Sequence, residues 1–417
     1  KEARESFGGN ALLVVPEERG SISLWSRAFS CRFGRCSVSC DFSLGGDFLL
    51  GFYFHVPFCH GKCPYCDFYS LPDSPSSMDQ YVSAVEAALV PWREKLRGRE
   101  LSTVYFGGGT PSLLGAERLG AVLQAVKQGF SLAPGAEITL EANPTFVDRA
   151  FFEAVRQAGF TRLSMGLQSA NEDELRFLGR AHSPQEVVQA VENARAAGFA
   201  NISLDLMLGL PGGSQEKLKK SIAFAASLEV EHISSYILKV EPGTPFAARG
   251  VQLPSDDDTA DQYLFAVEEL ARRGYAQYEI SNFARPGRES RHNLLYWRGE
   301  EYLGFGPGAH SFYGGRRFFY PRDLGAFLQG GGTVDDGPGG DFGEFALLNL
   351  RLTRGLRRAD CLARFGEEGA AGFDQVLRQA KGCPPQLLQA GEASVSFTPE
   401  GFLVSNALLV QLLEEDL

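Results

Sequence analysis

No apolar run in this sequence approaches the ~20 residues that a helix needs to cross a bilayer, so membrane-spanning helices are excluded. Cysteine is scarce: eight in 417 residues cannot build the disulfide scaffold of a small secreted domain. Positive charge is in deficit, with 40 Lys and Arg against 51 Asp and Glu and a formal net charge of −11. An acidic chain is a poor partner for phosphate backbones, and no nucleic-acid partner is expected. The low hydrophobicity of disordered chains is also missing, since 44% of residues are hydrophobic and 22% charged, the balance of a globular enzyme. Glycine is in excess at 48 residues, mostly in short turns after apolar runs rather than in a collagen-like period. The length suits one large domain or two ordinary ones.

The few cysteines are unevenly placed. Cys31, Cys36, Cys40, Cys59, Cys63 and Cys66 fall early, while Cys361 and Cys383 stand apart. Clustering in an enzyme-like chain points to metal and to reducing surroundings. Residues 1–47 carry no n-region/h-region pattern of a secretory signal. They read as an unassigned extension outside the fold, and the Cys31/Cys36/Cys40 triplet within them reads as non-functional. A cytoplasmic location is the expectation.

From Phe48 onward strand-like runs alternate with amphipathic helical segments. Strands are expected at Leu49–Val56, Leu101–Phe106, Glu137–Ala142, Thr161–Gln168, Ile202–Leu208 and His232–Leu238. The first helix, Gln80–Lys95, carries Tyr81, Val82, Val85, Ala88, Leu89 and Trp92 at the spacing of one buried stripe. Such alternation implies parallel strands with right-handed crossovers, and six units imply an α/β fold, a partial (β/α)6 barrel. One parity of several strands is polar: Glu137, Thr139 and Glu141; Ser164, Gly166 and Gln168; Ser203 and Asp205. A closed barrel fills its interior with branched apolar residues, so polar inward faces predict an open, ligand-holding cleft. We therefore expect a barrel core over 48–245, a trailing segment over 246–328, an exposed Gly-rich linker over 329–343 and a small C-terminal α+β domain over 344–417.

The strongest motif is Cys59-His60-Gly61-Lys62-Cys63-Pro64-Tyr65-Cys66, directly after the first strand. Three thiolates at this spacing can hold three irons of a cubane, leaving a fourth without a protein ligand. The rival reading is a zinc site with His60 or a distant cysteine as fourth ligand, although no second ligand pair follows at a typical distance. Phe106-Gly107-Gly108-Gly109-Thr110-Pro111-Ser112 follows the second strand, and its glycines permit close backbone approach to a ligand.

On these residues the chain resembles the radical S-adenosylmethionine superfamily. Further motifs follow in order: Glu141-Ala142-Asn143-Pro144, Ser164-Met165-Gly166-Leu167-Gln168-Ser169, Leu178-Gly179-Arg180-Ala181-His182 and Asp205-Leu206-Met207-Leu208-Gly209-Leu210-Pro211-Gly212. Together they resemble the branch that holds oxygen-independent coproporphyrinogen III oxidases and HemW-type haem chaperones. The resemblance implies a [4Fe-4S] cluster on Cys59, Cys63 and Cys66. It also implies S-adenosylmethionine held by Tyr53, Tyr65, Gly108, Gly109, Thr110, Glu141, Gln168, Arg180 and Asp205.

Within that branch the oxidases carry a fourth cysteine two positions beyond the third, where this chain has Phe68. The Asp67-Phe68 pair and His292-Asn293-Leu294-Leu295-Tyr296-Trp297 resemble the chaperone subgroup instead. This implies haem bound through His292 and delivered to an acceptor protein, with no catalytic residue of the oxidase kind. His310 is the competing candidate, although the glycines around it suggest a backbone role near the cofactor, and Cys361 and Cys383 are the cysteines able to hold haem iron. A radical decarboxylase of coproporphyrinogen III and a zinc-stabilised binding module are the alternatives.

Overall fold

Each apolar run followed by an amphipathic helix becomes one strand–helix unit in the computed structural model, which describes residues 49–413. The expectations for 1–47 and for the triplet Cys31, Cys36 and Cys40 lie outside the described residues. The strands β1 (Leu50–Val56), β2 (Glu100–Gly108), β3 (Ser131–Ala142), β4 (Arg162–Gln168), β5 (Ile202–Leu208) and β6 (His232–Ile237) pair in parallel, each with the next. The intervening crossovers include α1 (Pro75–Lys95), α2 (Gly115–Gly129), α3 (Arg149–Ala158), α4 (Glu172–Phe177), α5 (Pro184–Ala196) and α6 (Gln215–Ser227). Helix α1 buries Tyr81, Val82, Val85 and Leu89 and begins earlier than expected, because Pro75 fits its first turn. Helix α5 starts on a reciprocal Ser183–Glu186 capping box.

Side-chain alternation divides the two faces of the sheet. Phe52, Phe54, Val104, Phe106, Leu140, Leu163, Met165, Ile202, Leu204 and Ile233 are wholly buried beneath the helices. Each such side chain contributes roughly 1.5–3 kcal/mol of burial. The other parity places Tyr53 and His55, Thr103 and Tyr105, Glu137 and Glu141, Arg162 and Ser164, Ser203 and Asp205, and His232 on the concave side. Register matches them across the sheet, as in Tyr53↔Tyr105, Glu141↔Ser164, Ser164↔Ser203 and Ser203↔His232.

The later chain belongs to the same sheet. After α7 (Asp256–Arg272), β7 (Ala276–Gln277) and β8 (Asn282–Ala284) extend the β6 edge in antiparallel pairing. Helix α8 (Arg291–Trp297) leads to β9 (Glu301–Phe305), which lies parallel to β1. Then β10 (His310–Tyr313), β11 (Arg316–Phe319) and β12 (Val334–Pro338) continue outward as an antiparallel meander. The resulting twelve-stranded sheet has the order β12-β11-β10-β9-β1-β2-β3-β4-β5-β6-β8-β7.

Two boundaries expected from composition therefore change. The segment 246–328 does not trail the barrel but covers both of its edges. The 329–343 stretch is not only a linker, since β12 pairs with β11 inside it. Its Asp335, Asp336 and Pro338 suit an edge strand, where charge and a missing N–H are tolerated, and in sequence these residues are indistinguishable from a loop. Helix α9 (Phe342–Asn349) then crosses the expected boundary at 344.

Beyond α9, β13 (Leu356–Arg357), β14 (Leu388–Ala390) and β15 (Ser394–Phe397) form a small antiparallel sheet. It packs with α10 (Arg358–Ala380), which in turn packs against α11 (Ser405–Leu413). Its Leu356, Phe373, Val395 and Phe402 join the same hydrophobic cluster as the barrel core, so the α+β module shares one continuous interior with the barrel.

Candidate functional site

The C-terminal ends of parallel strands converge on loops, and the three-cysteine, glycine-rich, Glu141, Gln168, Arg180 and Asp205 motifs lie at that end. A short strand, Phe58–Cys59, pairs with Leu71–Pro72 and closes the Cys59–Cys66 segment into a loop. The Cys66 N–H donates to the Cys63 carbonyl at 3.0 Å, turning the loop back on itself. Cys59 Sγ lies 3.5 Å from Thr110 Oγ1, and Arg180 Nη1 lies 3.6 Å from Cys63 Sγ. All three cysteines lie outside any disulfide and are partly exposed. Among the described residues no three His, Cys, Asp or Glu side chains gather closely enough to hold a single metal ion. A cubane makes a different demand, because each thiolate takes its own iron.

Beside the loop opens a cleft of about 120 Å³, lined by residues that include Thr110, Glu141, Ser164, Gln168, Arg180 and Asp205. The Glu141 carboxylate is fixed by the Tyr105 hydroxyl at 2.8 Å and by the Gly108 N–H at 3.2 Å. Ser164 donates to Asp205 at 3.4 Å, and burial raises the pKa of that carboxyl. Arg180 keeps its charge against burial because the Tyr65 and Cys63 side chains lie beside it. Close approach is built into the wall. A Cβ on Gly109 would lie 2.6 Å from the Phe58 carbonyl oxygen, and one on Gly166 would lie 2.9 Å from Arg180 Nη2. Gln168 occupies a positive φ of 64° where the β4/β5 register slips, a strained conformation for a residue with a side chain.

The expected residues separate into two groups. Gly109, Thr110, Glu141, Gln168, Arg180 and Asp205 come together on the pocket wall. Gly108 supports Glu141 from behind. Tyr53 lies deeper, with its hydroxyl 3.1 Å from His55 Nδ1. Tyr65 packs toward Phe246 at 6.2 Å between ring centroids, and burial raises its hydroxyl pKa. Asn143, Ser164 and Gly166 also line the pocket without having been singled out as binding residues. The polar parity of β4 was the signal for Ser164 and Gly166.

His292 is not brought to this mouth. Helix α8 inserts it from the N-terminal end of the strands, where Gly51 leaves room: a Cβ there would meet Leu295 Cδ1 at 2.5 Å and His292 Nδ1 at 3.1 Å. The ring stacks beside Tyr105, with centroids 5.1 Å apart. Nδ1 lies 2.7 Å from Thr103 Oγ1 and Nε2 lies 2.8 Å from the Tyr296 hydroxyl. Burial, then the Arg162 charge, lowers its pKa to about 3. Both nitrogens are engaged, so in this arrangement neither is open to an iron.

Residues 53–225 match the Radical SAM superfamily. A heme chaperone HemW from Mycobacterium tuberculosis is 39% identical over 379 residues, covering 87% of this chain and 95% of that protein. The Bacillus subtilis HemW is 35% identical, with 87% and 99% coverage, and the Escherichia coli HemW is 41% identical, with 76% and 86%. In fold, the chain is similar to coproporphyrinogen III oxidase (HemN) from Escherichia coli, with a TM-score of 0.76 at 23% identity over 88% of this chain and 91% of that one. Parallel units, a three-cysteine loop at their C-terminal end and near-full-length relatives agree, and the chain belongs to the HemW heme chaperone family of the radical SAM superfamily.

Proposed function

We propose that this chain is a haem chaperone: it binds haem, carries a [4Fe-4S] cluster with S-adenosylmethionine, and passes haem to an acceptor protein. The observation that carries the cofactor reading is the contact of two loop thiols with the pocket wall, Cys59 with Thr110 and Cys63 with Arg180. A cluster on Cys59, Cys63 and Cys66 leaves one iron for the amino and carboxylate groups of S-adenosylmethionine and can supply an electron to it.

The chain's own residues set the rest. Arg180 is a fixed cation suited to the methionine carboxylate, and Asp205 is an acceptor suited to ribose hydroxyls. Glu141, held by Tyr105 and Gly108, presents a carboxylate to an ammonium. Gly109 and Gly166 have no room for a Cβ beside the Phe58 carbonyl and the Arg180 guanidinium, so backbone alone forms the wall there. Tyr53 and Tyr65 stiffen the surroundings, Tyr53 through His55 and Tyr65 through Arg180.

Phe68 in the position of the oxidases' fourth cysteine supports the carrier reading over decarboxylation. No helix among the described residues is long and apolar enough to cross a membrane, and an oxygen-sensitive cluster suits the cytoplasm.

Anaerobically purified chain should contain about four irons and no zinc. It should give a Soret response to haem, transfer that haem to an apo acceptor, and form no protoporphyrinogen from coproporphyrinogen III, reductant and S-adenosylmethionine. Robust decarboxylation would replace this reading with the oxidase, and stoichiometric zinc would replace it with the binding module.

A further inference from the structure

Gln168 and Arg180 stand side by side on the cleft wall although α4 separates them in sequence. A Cβ on Gly166 would lie 2.5 Å from Gln168 Nε2 and 2.9 Å from Arg180 Nη2, so the amide and the guanidinium converge over that glycine. Arg180 directs Nη1 to Cys63 Sγ and Nη2 to the Gly166 carbonyl at 3.4 Å. Its Nε is buried and has no partner among the described residues.

Neither side chain is placed by a regular element. Gln168 sits at a φ of 64°, which the extended strand before it does not favour. Arg180 follows the last turn of α4, where Gly179 turns at a φ of 66° against the cysteine loop. A Cβ on Gly179 would lie 2.7 Å from Pro64 Cδ. The segment between the two side chains therefore needs a fastening of its own.

The inside of the segment is held by Glu174, a buried carboxylate. It accepts from the Ser169 hydroxyl and, at 3.1 Å, from the Asn171 amide, while the Asn171 N–H donates to Ser169 Oγ at 2.9 Å. Helix α6 anchors this knot: Ser221 Oγ accepts from the Ala170 N–H at 2.9 Å, and the Lys217 carbonyl accepts from the Asn171 amide at 3.1 Å.

The neck is held by His182, the last residue of the Leu178–His182 motif and one that the cofactor reading leaves unused. Its ring is 3% exposed, and Nε2 lies 3.0 Å from the Leu167 carbonyl, which belongs to the peptide entering Gln168. The same carbonyl accepts from the Ser169 N–H at 2.8 Å, closing a three-residue turn centred on Gln168. A carbonyl only accepts, so Nε2 carries the proton and Nδ1 the lone pair. Nδ1 is buried and has no partner among the described residues. An apolar side chain would fill that space without an idle nitrogen, so the ring is explained by the one bond it makes. Burial, then the Arg180 charge, lowers its pKa to about 4, and the imidazole is neutral at pH 7.

Resting on the reading that Gln168 and Arg180 hold S-adenosylmethionine, we propose that His182 is a positioning residue for that cofactor. By fixing the Leu167 carbonyl it holds the turn that aims the Gln168 amide into the cleft beside Arg180.

The test is calorimetric titration of S-adenosylmethionine into the full chain, anaerobically reconstituted, with iron and sulfide measured in every variant. His182→Leu should weaken binding by ~10-fold, the scale of one misplaced hydrogen-bonding group, with iron and sulfide unchanged. His182→Asn, polar but too short to reach Leu167, should lose as much, and it serves if the leucine variant does not fold. His182→Gln, whose amide still donates near the position of Nε2, should recover most of the affinity. In a Gln168→Gly background, loss of the ring should cost less than ~2-fold, because the turn no longer aims a side chain. In an Asp205→Asn background it should cost the full ~10-fold. A ring that merely stabilises the fold would weaken binding equally in both backgrounds. That equality, or wild-type affinity in a folded His182→Leu or His182→Asn chain, overturns the positioning role alone. A wild-type chain that holds its four irons and binds no S-adenosylmethionine overturns the cofactor reading and this proposal with it.

Discussion

The Tyr296 hydroxyl lies 2.8 Å from His292 Nε2, one turn away on the same helix, and Thr103 Oγ1 lies 2.7 Å from Nδ1. The motif thus ties α8 to β2 across the N-terminal end of the barrel. His292→Ala would leave a cavity and remove the ring that the buried Thr103 hydroxyl and the half-buried Tyr296 hydroxyl both bond. A loss of roughly 2–5 kcal/mol of stability is expected, read by urea denaturation. A loss below ~1 kcal/mol would mean that the ring does not seal the barrel.

Acid should weaken the fold through the same residue type. Burial lowers the pKa of His292 to about 3 and of His182 to about 4, and that of His232 well below its ordinary value; the charge of Arg162, or of Arg180 for His182, adds to it. These groups stay neutral in the fold while an unfolded histidine protonates near 6.5. The stability they confer is complete above about 6.5 and drains away as pH falls through about 4 for His182 and about 3 for His292. Midpoints of denaturation at pH 7 and pH 5 should differ, and His292→Gln should narrow that difference. An equal difference in the variant would count against a neutral buried ring.

Much of this architecture is legible in the chain, and the exceptions have physical causes. The six parallel strands announce themselves because apolar alternation and helix stripes are local signals. Strand β9 does not: Glu301–Phe305 is a five-residue run whose partner, β1, lies some 250 residues earlier. The edge strand β12 is written in loop residues. Gly109, Thr110, Glu141, Gln168, Arg180 and Asp205 could be named from motifs, yet what the motifs omit is depth. Nothing in His-Asn-Leu-Leu-Tyr-Trp says that the ring points inward, because burial is decided by Gly51, far away in sequence.

Gln168 holds a positive φ on the pocket wall, a conformation disfavoured by about 1 kcal/mol or more for a side-chain-bearing residue. Gln168→Gly should therefore raise stability by up to ~1 kcal/mol while weakening S-adenosylmethionine binding, as read by calorimetry on the cluster-loaded chain. Unchanged affinity would remove Gln168 from the cofactor's surroundings.

Arg180 bridges the cluster loop and the pocket. Arg180→Ala is expected to weaken S-adenosylmethionine binding by ~10- to 100-fold, the scale of a charge-assisted hydrogen-bonded pair. Four irons should still assemble, because Cys59, Cys63 and Cys66 are untouched. Arg180→Lys should recover only part of the loss, lacking the planar fork. Loss of iron in Arg180→Ala would instead assign the residue to holding the loop.

Glu279 gives the opposite pH signature to the histidines. It is wholly buried, accepts hydrogen bonds from the Ser281 N–H at 3.1 Å and from the Asn282 amide, and lies near Arg351. Burial nonetheless raises its pKa to about 7. A carboxyl whose folded pKa lies above its unfolded one near 4.3 binds its proton more tightly in the native state. Its contribution is therefore complete below about 4.3 and is lost as pH rises through 7. Glu279→Gln keeps the shape and removes the titration. Relative to wild type, the variant should gain stability at pH 8 over its standing at pH 5, on the order of 1–3 kcal/mol. Denaturation of both proteins at the two pH values isolates this term, since the histidine contribution is common to both chains and cancels. A constant difference across that range would mean that Arg351 keeps Glu279 ionised throughout.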